Sequence, residues 1–241
     1  MRIIIRHTFF ILTFLYLMIG CANNTLQKKD STQYDKSSIS QFGKSDFDRM
    51  ADYEVRENLE SLKILMIKFY KKNPKELRKT SSDNAELVTN WVFNNKQDWK
   101  FPSINNAEGV EAINQTFDEN FEGDRVLSLI TGVYTMIKKA HNDDEDMQFF
   151  ITDVLDPQKI YNASRNIEII VWKLSNKKNS NNQLFLRTNE MNEKESNLSF
   201  EREFGKIIGR TDYFAYALSE KSERTITRVL QNFATAIFLP F

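Results

Sequence analysis

The chain is 241 residues long, the size of one to two domains, and its 33 Lys and Arg balance 33 Asp and Glu. Hydrophobic residues at 41% and charged residues at 27% exclude a disordered chain, while 7 Gly and 4 Pro exclude a turn-rich β-sandwich and a Gly-rich nucleotide fold. A single Cys excludes a disulfide framework and a multi-cysteine metal cage, and zero formal charge gives no electrostatic reason to expect nucleic acid.

Residues 1–20 read as an address. Arg2 and Arg6 form a short positive start, and the apolar run from Thr8 to Ile19 is too short for a mature membrane span. The run closes Leu17-Met18-Ile19-Gly20-Cys21, and Cys21 is the one cysteine of the chain. This pattern resembles a bacterial lipoprotein signal, with Met18 standing where Leu is more usual. In such proteins the chain is cut before the cysteine, whose thiol carries a diacylglycerol. Ala22 follows, not Asp, which resembles the default pattern sent to the outer membrane. Cleavage removes two bases and no acid, leaving 31 basic and 33 acidic residues. Residues 21–44 then read as the lipidated cysteine and a polar tether, spanning roughly 25 Å root-mean-square.

Residues 45–241 read as one all-α domain, a bundle of six to eight helices. From Asp46 to Tyr70, Phe47, Met50, Leu59, Leu62, Leu65, Met66 and Phe69 recur at helical spacing, and Asn73-Pro74 stops the helix and opens a short turn. Ser82 or Asp83 is predicted to cap a segment with Leu87, Trp91 and Val92. Trp99 and Phe101 mark a connector pinned to the bundle. Asn105 or Asn106 begins a helix carrying Ala107, Val110, Ile113 and Phe117. Gly123-Asp124 opens Arg125 to Ala140, which ends on Lys138-Lys139 as the helix dipole favours. His141 to Asp146 reads as a polar, acidic loop, and 147–155 as helical. Asp156-Pro157 is a strong start signal for a helix bearing Ile160, Tyr161, Ile167, Ile170 and Leu174.

The stretch 175–197 is polar except for Leu184-Phe185-Leu186, a small strand or a lid. Ser199 is predicted to cap a helix to Leu218, in which Gly205 and Gly209 let another helix approach closely. Ile226 to Phe238 reads as the last helix, ended by Pro240.

The sequence contains no His-Glu-x-x-His, no Gly-x-Ser-x-Gly and no phosphate-binding glycine loop. After processing, His141 is the one histidine, so neither a Ser-His-Asp relay nor a multi-histidine metal site is expected, and no metal or cofactor is expected. Charged residues embedded among apolar ones stand out instead: Arg125, Arg165, Glu168, Arg202 and Glu203, with Arg210. If the first five converge, they make an Arg-lined pocket suited to an anionic ligand; otherwise they pair along helix surfaces.

Four blocks carry a resemblance: Gly123-Asp124-Arg125-Val126, Leu155 through Glu168, Asn197 through Lys206, and Arg224 through Pro240. Together they resemble lipoproteins of proteobacterial genomes to which no activity is assigned. The resemblance implies a Gram-negative envelope setting and brings no cofactor or catalytic residue. Richness in Asn, Lys, Ile and Phe fits a low-GC genome and keeps a helical spirochaetal surface lipoprotein as the alternative. The expectation is therefore a lipid-anchored protein facing the periplasm, attached through acylated Cys21, that binds an envelope protein and not nucleic acid. A ligand-binding protein or enzyme using the Arg/Glu residues is the competing expectation.

Overall fold

The computed structural model describes residues 46–94, 98–142, 155–191, 196–228 and 237–241. Within them the chain is helical, as its periodicity predicts, with seven α-helices. The signal segment 1–20, Cys21, the tether 21–44, and the segments 143–154 and 229–236 lie outside the described residues.

Helix α1 (Asp46–Lys72) ends where Asn73-Pro74 predicts, and α2 (Pro74–Thr80) starts at the proline. α3 (Ala85–Asn94) is capped by Asn84, whose Oδ1 accepts the Leu87 N–H at 2.9 Å, one or two residues after the predicted caps. α4 (Gly109–Thr116) begins later than predicted because Asn105 and Asn106 both adopt left-handed backbone, with φ of 58° and 54°. α5 (Arg125–Ala140) is capped by Asp124, whose Oδ1 accepts the N–H groups of Val126 and Leu127 at 2.8 and 3.0 Å. The other carboxylate oxygen accepts Tyr70 Oη at 2.8 Å and Thr80 Oγ1 at 2.6 Å, so one buried Asp ties α1 and α2 to the start of α5. α6 (Pro157–Asn176) starts at the predicted Asp156-Pro157 signal. α7 (Ser199–Ser222) runs past the predicted end at Leu218, and Ser199, predicted as its cap, is its first residue, whose N–H Asn197 Oδ1 accepts at 3.0 Å.

Packing follows from the pairings. α1 lies against α7 in antiparallel sense, since Asn58 meets Thr211 while Phe69 meets Phe200 with ring centroids 4.8 Å apart. α6 and α7 are antiparallel as well, pairing Arg165 with Asp212 and Tyr161 with Tyr216. α4 and α5 form a tight hairpin. Ser128 Oγ donates to Ala112 O at 2.8 Å, and Gly109 N donates to Thr135 Oγ1 at 2.7 Å. The connector is pinned as predicted: Trp99 stacks on Tyr134 at 3.8 Å, and Phe101 is buried.

In the first half of α1 the buried stripe is Asp48, Ala51, Glu54, Val55, Asn58 and Ser61, so Phe47, Met50 and Leu59 are only partly buried. Among the described residues Gly205 and Gly209 face open space: a Cβ added at either meets nothing within 4 Å, and no described helix uses that notch. His141 is not a loop residue in solvent but lies buried at the end of α5. Of the last helix predicted from Ile226 to Phe238, residues 226–228 and 237–238 are irregular, and 229–236 lie outside the described residues.

These irregular segments are held by asparagine side chains that act as short ladders. Asn73 donates to Arg187 O at 2.9 Å and accepts Arg187 N–H at 2.8 Å. Asn166, fully buried, does the same for Leu239, at 2.8 and 2.6 Å, and Asn162 donates to Pro240 O at 2.7 Å. The segment around Leu184-Phe185-Leu186 forms one bridge, Lys178 to Leu184, with Leu186 as a buried plug, followed by a two-residue antiparallel pair, β1 (Glu190–Met191) and β2 (Ser196–Asn197). Asn166→Ala leaves the Leu239 N–H and C=O without these partners, and is expected to lower stability by about 2 kcal/mol in urea unfolding.

Candidate functional site

The five embedded charges stand at three places. Arg125 closes the α4–α5 corner. Its Nη1 donates to Gln115 O and Thr116 O, both at 3.1 Å, and its Nη2 to Phe121 O at 2.8 Å, so it caps the end of α4. Arg165 and Glu168 lie on the α6–α7 seam, 2.8 Å apart, and Arg165 also pairs with Asp212. Burial pushes the Glu168 carboxyl up, against the pull of Arg165 and with help from Asp212. Arg202 and Glu203 lie in the first turns of α7, 3.4 Å apart, with Lys206 2.9 Å from the Glu203 carboxylate. Burial alone pushes the Glu203 carboxyl up, and Lys206 and Arg202 more than reverse it. Lys68 of α1 feels this group: burial and then the Arg202 charge lower its ammonium pKa. Each of the five is thus engaged by neighbours within its own corner of the fold.

The buried polar centre is elsewhere, and sequence reasoning did not find it. Glu54 of α1 places Oε2 3.2 Å from His141 Nε2, with both side chains at most 4% exposed. His141 Nδ1 lies 2.8 Å from Ile137 O, which fixes the proton on that nitrogen, and the imidazole stacks on Phe214 at 5.8 Å. Glu54 Oε1 accepts Asn58 Nδ2 at 2.5 Å and Thr211 Oγ1 at 2.7 Å. Arg210 continues the seam, donating to Glu57 O and Ser61 Oγ, both at 3.0 Å. Glu54, Asn58 and Ser61 recur at spacings of four and three on the buried stripe. That polar spacing is the signal a sequence reader can use.

For His141, burial alone pulls the pKa down, but the Glu54 charge, its hydrogen bond and the Ile137 carbonyl outweigh it and leave the imidazole above its ordinary value. Among the described residues this deeply buried ion pair joins α1, α5 and α7.

The outer surface offers apolar side chains of its own. Leu87 and Trp91, one turn apart on α3, are 56% and 52% exposed. With Thr80, Ser81, Asp83 and Val88 they line a cavity of about 270 Å³. Among the described residues no helix is long and apolar enough to cross a membrane. Comparison of the chain with protein-family models, with curated proteins and with solved structures returns no match.

Proposed function

We propose that this chain is a lipid-anchored protein of a Gram-negative envelope, held in the outer membrane by acylated Cys21. It faces the periplasm and works by binding an envelope protein through its helical domain. The observation that carries this reading is the position of the sole cysteine, directly after Gly20 at the close of the apolar run. Acyl chains contribute about 0.8 kcal/mol per buried methylene, so two or three of them hold the protein on the bilayer without any membrane-spanning helix. The exposed Leu87 and Trp91 are the kind of side chains a protein partner covers. The competing reading, a ligand pocket or enzyme built on Arg125, Arg165, Glu168, Arg202 and Glu203, is weakened because these charges already pair internally at separate places.

Cys21→Ser tests the anchor. Incorporation of labelled palmitate is expected to vanish, and the protein to leave the membrane fraction or accumulate uncut. Membrane retention equal to the parent contradicts the reading. Crosslinking in intact cells, followed by mass spectrometry, is expected to recover one reproducible envelope protein, and to lose it in Leu87→Asp/Trp91→Asp.

A further inference from the structure

The corner where α2 ends and α3 begins carries apolar surface and a charge that the fold does not use. Thr80 closes α2, and Ser81 continues in extended backbone, its N–H donating to Leu77 O at 3.0 Å. Ser81 Oγ accepts the Asp83 N–H at 3.1 Å and donates to Asp83 Oδ2 at 2.9 Å, so the turn holds its carboxylate in place. On α3, Leu87 and Trp91 stand one turn apart on one face, both more than half exposed. The Trp91 ring packs on buried Phe101, with centroids 5.7 Å apart, so it is held ready and not loose. With Val88, these groups wall the cavity of about 270 Å³.

The other acids of this corner are paired, and Asp83 is the exception. Glu76 holds Lys79 at 3.0 Å, and Glu86 holds Lys71 at 2.5 Å. Asp83 is exposed, and among the described residues no Lys, Arg or His nitrogen lies within 4.0 Å of its carboxylate. Among the described residues it is also the one charged side chain lining the cavity. The positive pole of α3 favours an acid at this place. Asn84 already caps the helix, however, so the start of α3 does not require Asp83.

Single exposed apolar side chains are ordinary, but two of them bordering a cavity beside an unmatched carboxylate form a complementary set. Small-molecule sites run to roughly 300–1,000 Å³, so this cavity falls below them and suits one inserted side chain. That favours a protein segment over a free ligand. An apolar anchor seated in a pocket is how a few residues come to carry most of an interface's affinity. Asp83 sets the sign of the charge beside that anchor, and a guanidinium there has Trp91 to stack on as well.

We infer that the cavity at the α2–α3 corner receives an apolar side chain of a protein partner, with an arginine or lysine next to it meeting Asp83. The inference rests on the reading above that a protein covers Leu87 and Trp91, and it names what that protein must present.

The probe is N-acetyl-phenylalanyl-arginine amide, titrated into the full chain in non-ionic detergent and followed by tryptophan emission. The corresponding glutamine and glutamate peptides are the controls. The arginine peptide is expected to bind saturably, about fivefold tighter than the glutamine peptide at low ionic strength, with the glutamate peptide weakest. That preference shrinks in high salt. It disappears in Asp83→Asn, which keeps an oxygen for Ser81, while Leu87→Ser weakens the arginine and glutamine peptides alike by about fivefold. Absence of saturable binding overturns the inference, as does equal affinity for the arginine and glutamine peptides. A preference unchanged in Asp83→Asn overturns it too. Self-association of the chain that is lost in Leu87→Ser makes the occupant a second copy and overturns it as well. Crosslinking in intact cells separates the two readings. A recovered envelope partner with no peptide binding defeats this inference alone, whereas the expected peptide series with no partner recovered defeats the envelope-binding role and leaves the cavity's preference standing.

Discussion

Glu54→Ala is expected to lower the free energy of unfolding by about 3–5 kcal/mol, the usual cost of removing one partner from a buried ion pair. The change strands His141 Nε2 in a place with 1% exposure, and it removes the oxygen that accepts both Asn58 and Thr211. Glu54→Gln separates charge from shape. A glutamine there keeps an oxygen for Asn58 and Thr211 and turns an N–H toward His141 Nε2, now the acceptor of a neutral ring. Its expected cost is about 1 kcal/mol.

The two variants also differ in pH response. Because folding raises the His141 pKa, the stabilisation from the charged imidazole is complete below the ordinary histidine value and is lost as pH rises through the higher folded value. Above that point a neutral ring presents its lone pair to a carboxylate. Urea unfolding across pH 5 to 9 is therefore expected to show stability declining on the alkaline side in the parent. That decline should be absent in Glu54→Gln. An equal decline in both would remove His141 from the explanation.

Gly132→Ala is the second large effect, and its sign is decided by magnitudes. Alanine gains about 1 kcal/mol over glycine in a helix interior. At Gly132, however, the new Cβ falls 2.7 Å from Ile113 Cγ1, 2.8 Å from Gly109 O and 2.8 Å from Ile113 N. Two of those atoms are backbone, so α4 must move away from α5 and strain the Gly109 to Thr135 bond. Overpacking costs about 1–3 kcal/mol, and contacts this close to backbone put it at the upper end, about 3 kcal/mol, so a net loss of about 2 kcal/mol is expected in thermal or urea unfolding. The same substitution at Gly205 or Gly209, where nothing stands within 4 Å, is expected to gain about 0.5–1 kcal/mol. Opposite signs for one chemical change in the same protein make a sharp comparison.

What the sequence reveals of this fold is what is decided locally. Asp124 and Asp156-Pro157 start their helices because a cap needs only the next two or three N–H groups. Asn73-Pro74 ends α1 for an equally local reason. Segments fixed by distant partners are harder to read. Periodicity carries the last predicted helix through Phe238, yet residues 237–241 are irregular, and Asn162 and Asn166, more than 70 positions earlier, bind the Leu239 and Pro240 backbone. Gly205 and Gly209 have the spacing of a helix contact, but no helix among the described residues faces them. In α1 a count of apolar residues slips off the buried stripe, because that stripe begins with Asp48, Glu54, Asn58 and Ser61 among only Ala51 and Val55, and Glu54, Asn58 and Ser61 find polar partners on α7 or at the end of α5.

The site shows the same division. Arg165 with Glu168 was legible as a pair three residues apart. That Arg125 would cap α4 was not, since its acceptors are carbonyls of a different helix. Lys173 was hidden within Ile169-Ile170-Val171-Trp172-Lys173-Leu174, where a lysine reads as a charge leaning out to water. It faces Phe238 instead, in a segment whose course the sequence does not disclose.

The intact mass of the protein extracted from bacterial membranes tests the central claim most directly. A chain beginning at Cys21, heavier than residues 21–241 by a diacylglycerol with or without a further acyl chain, is the predicted result. A mass equal to the bare polypeptide, cut or uncut, contradicts the anchor and with it the envelope-binding role.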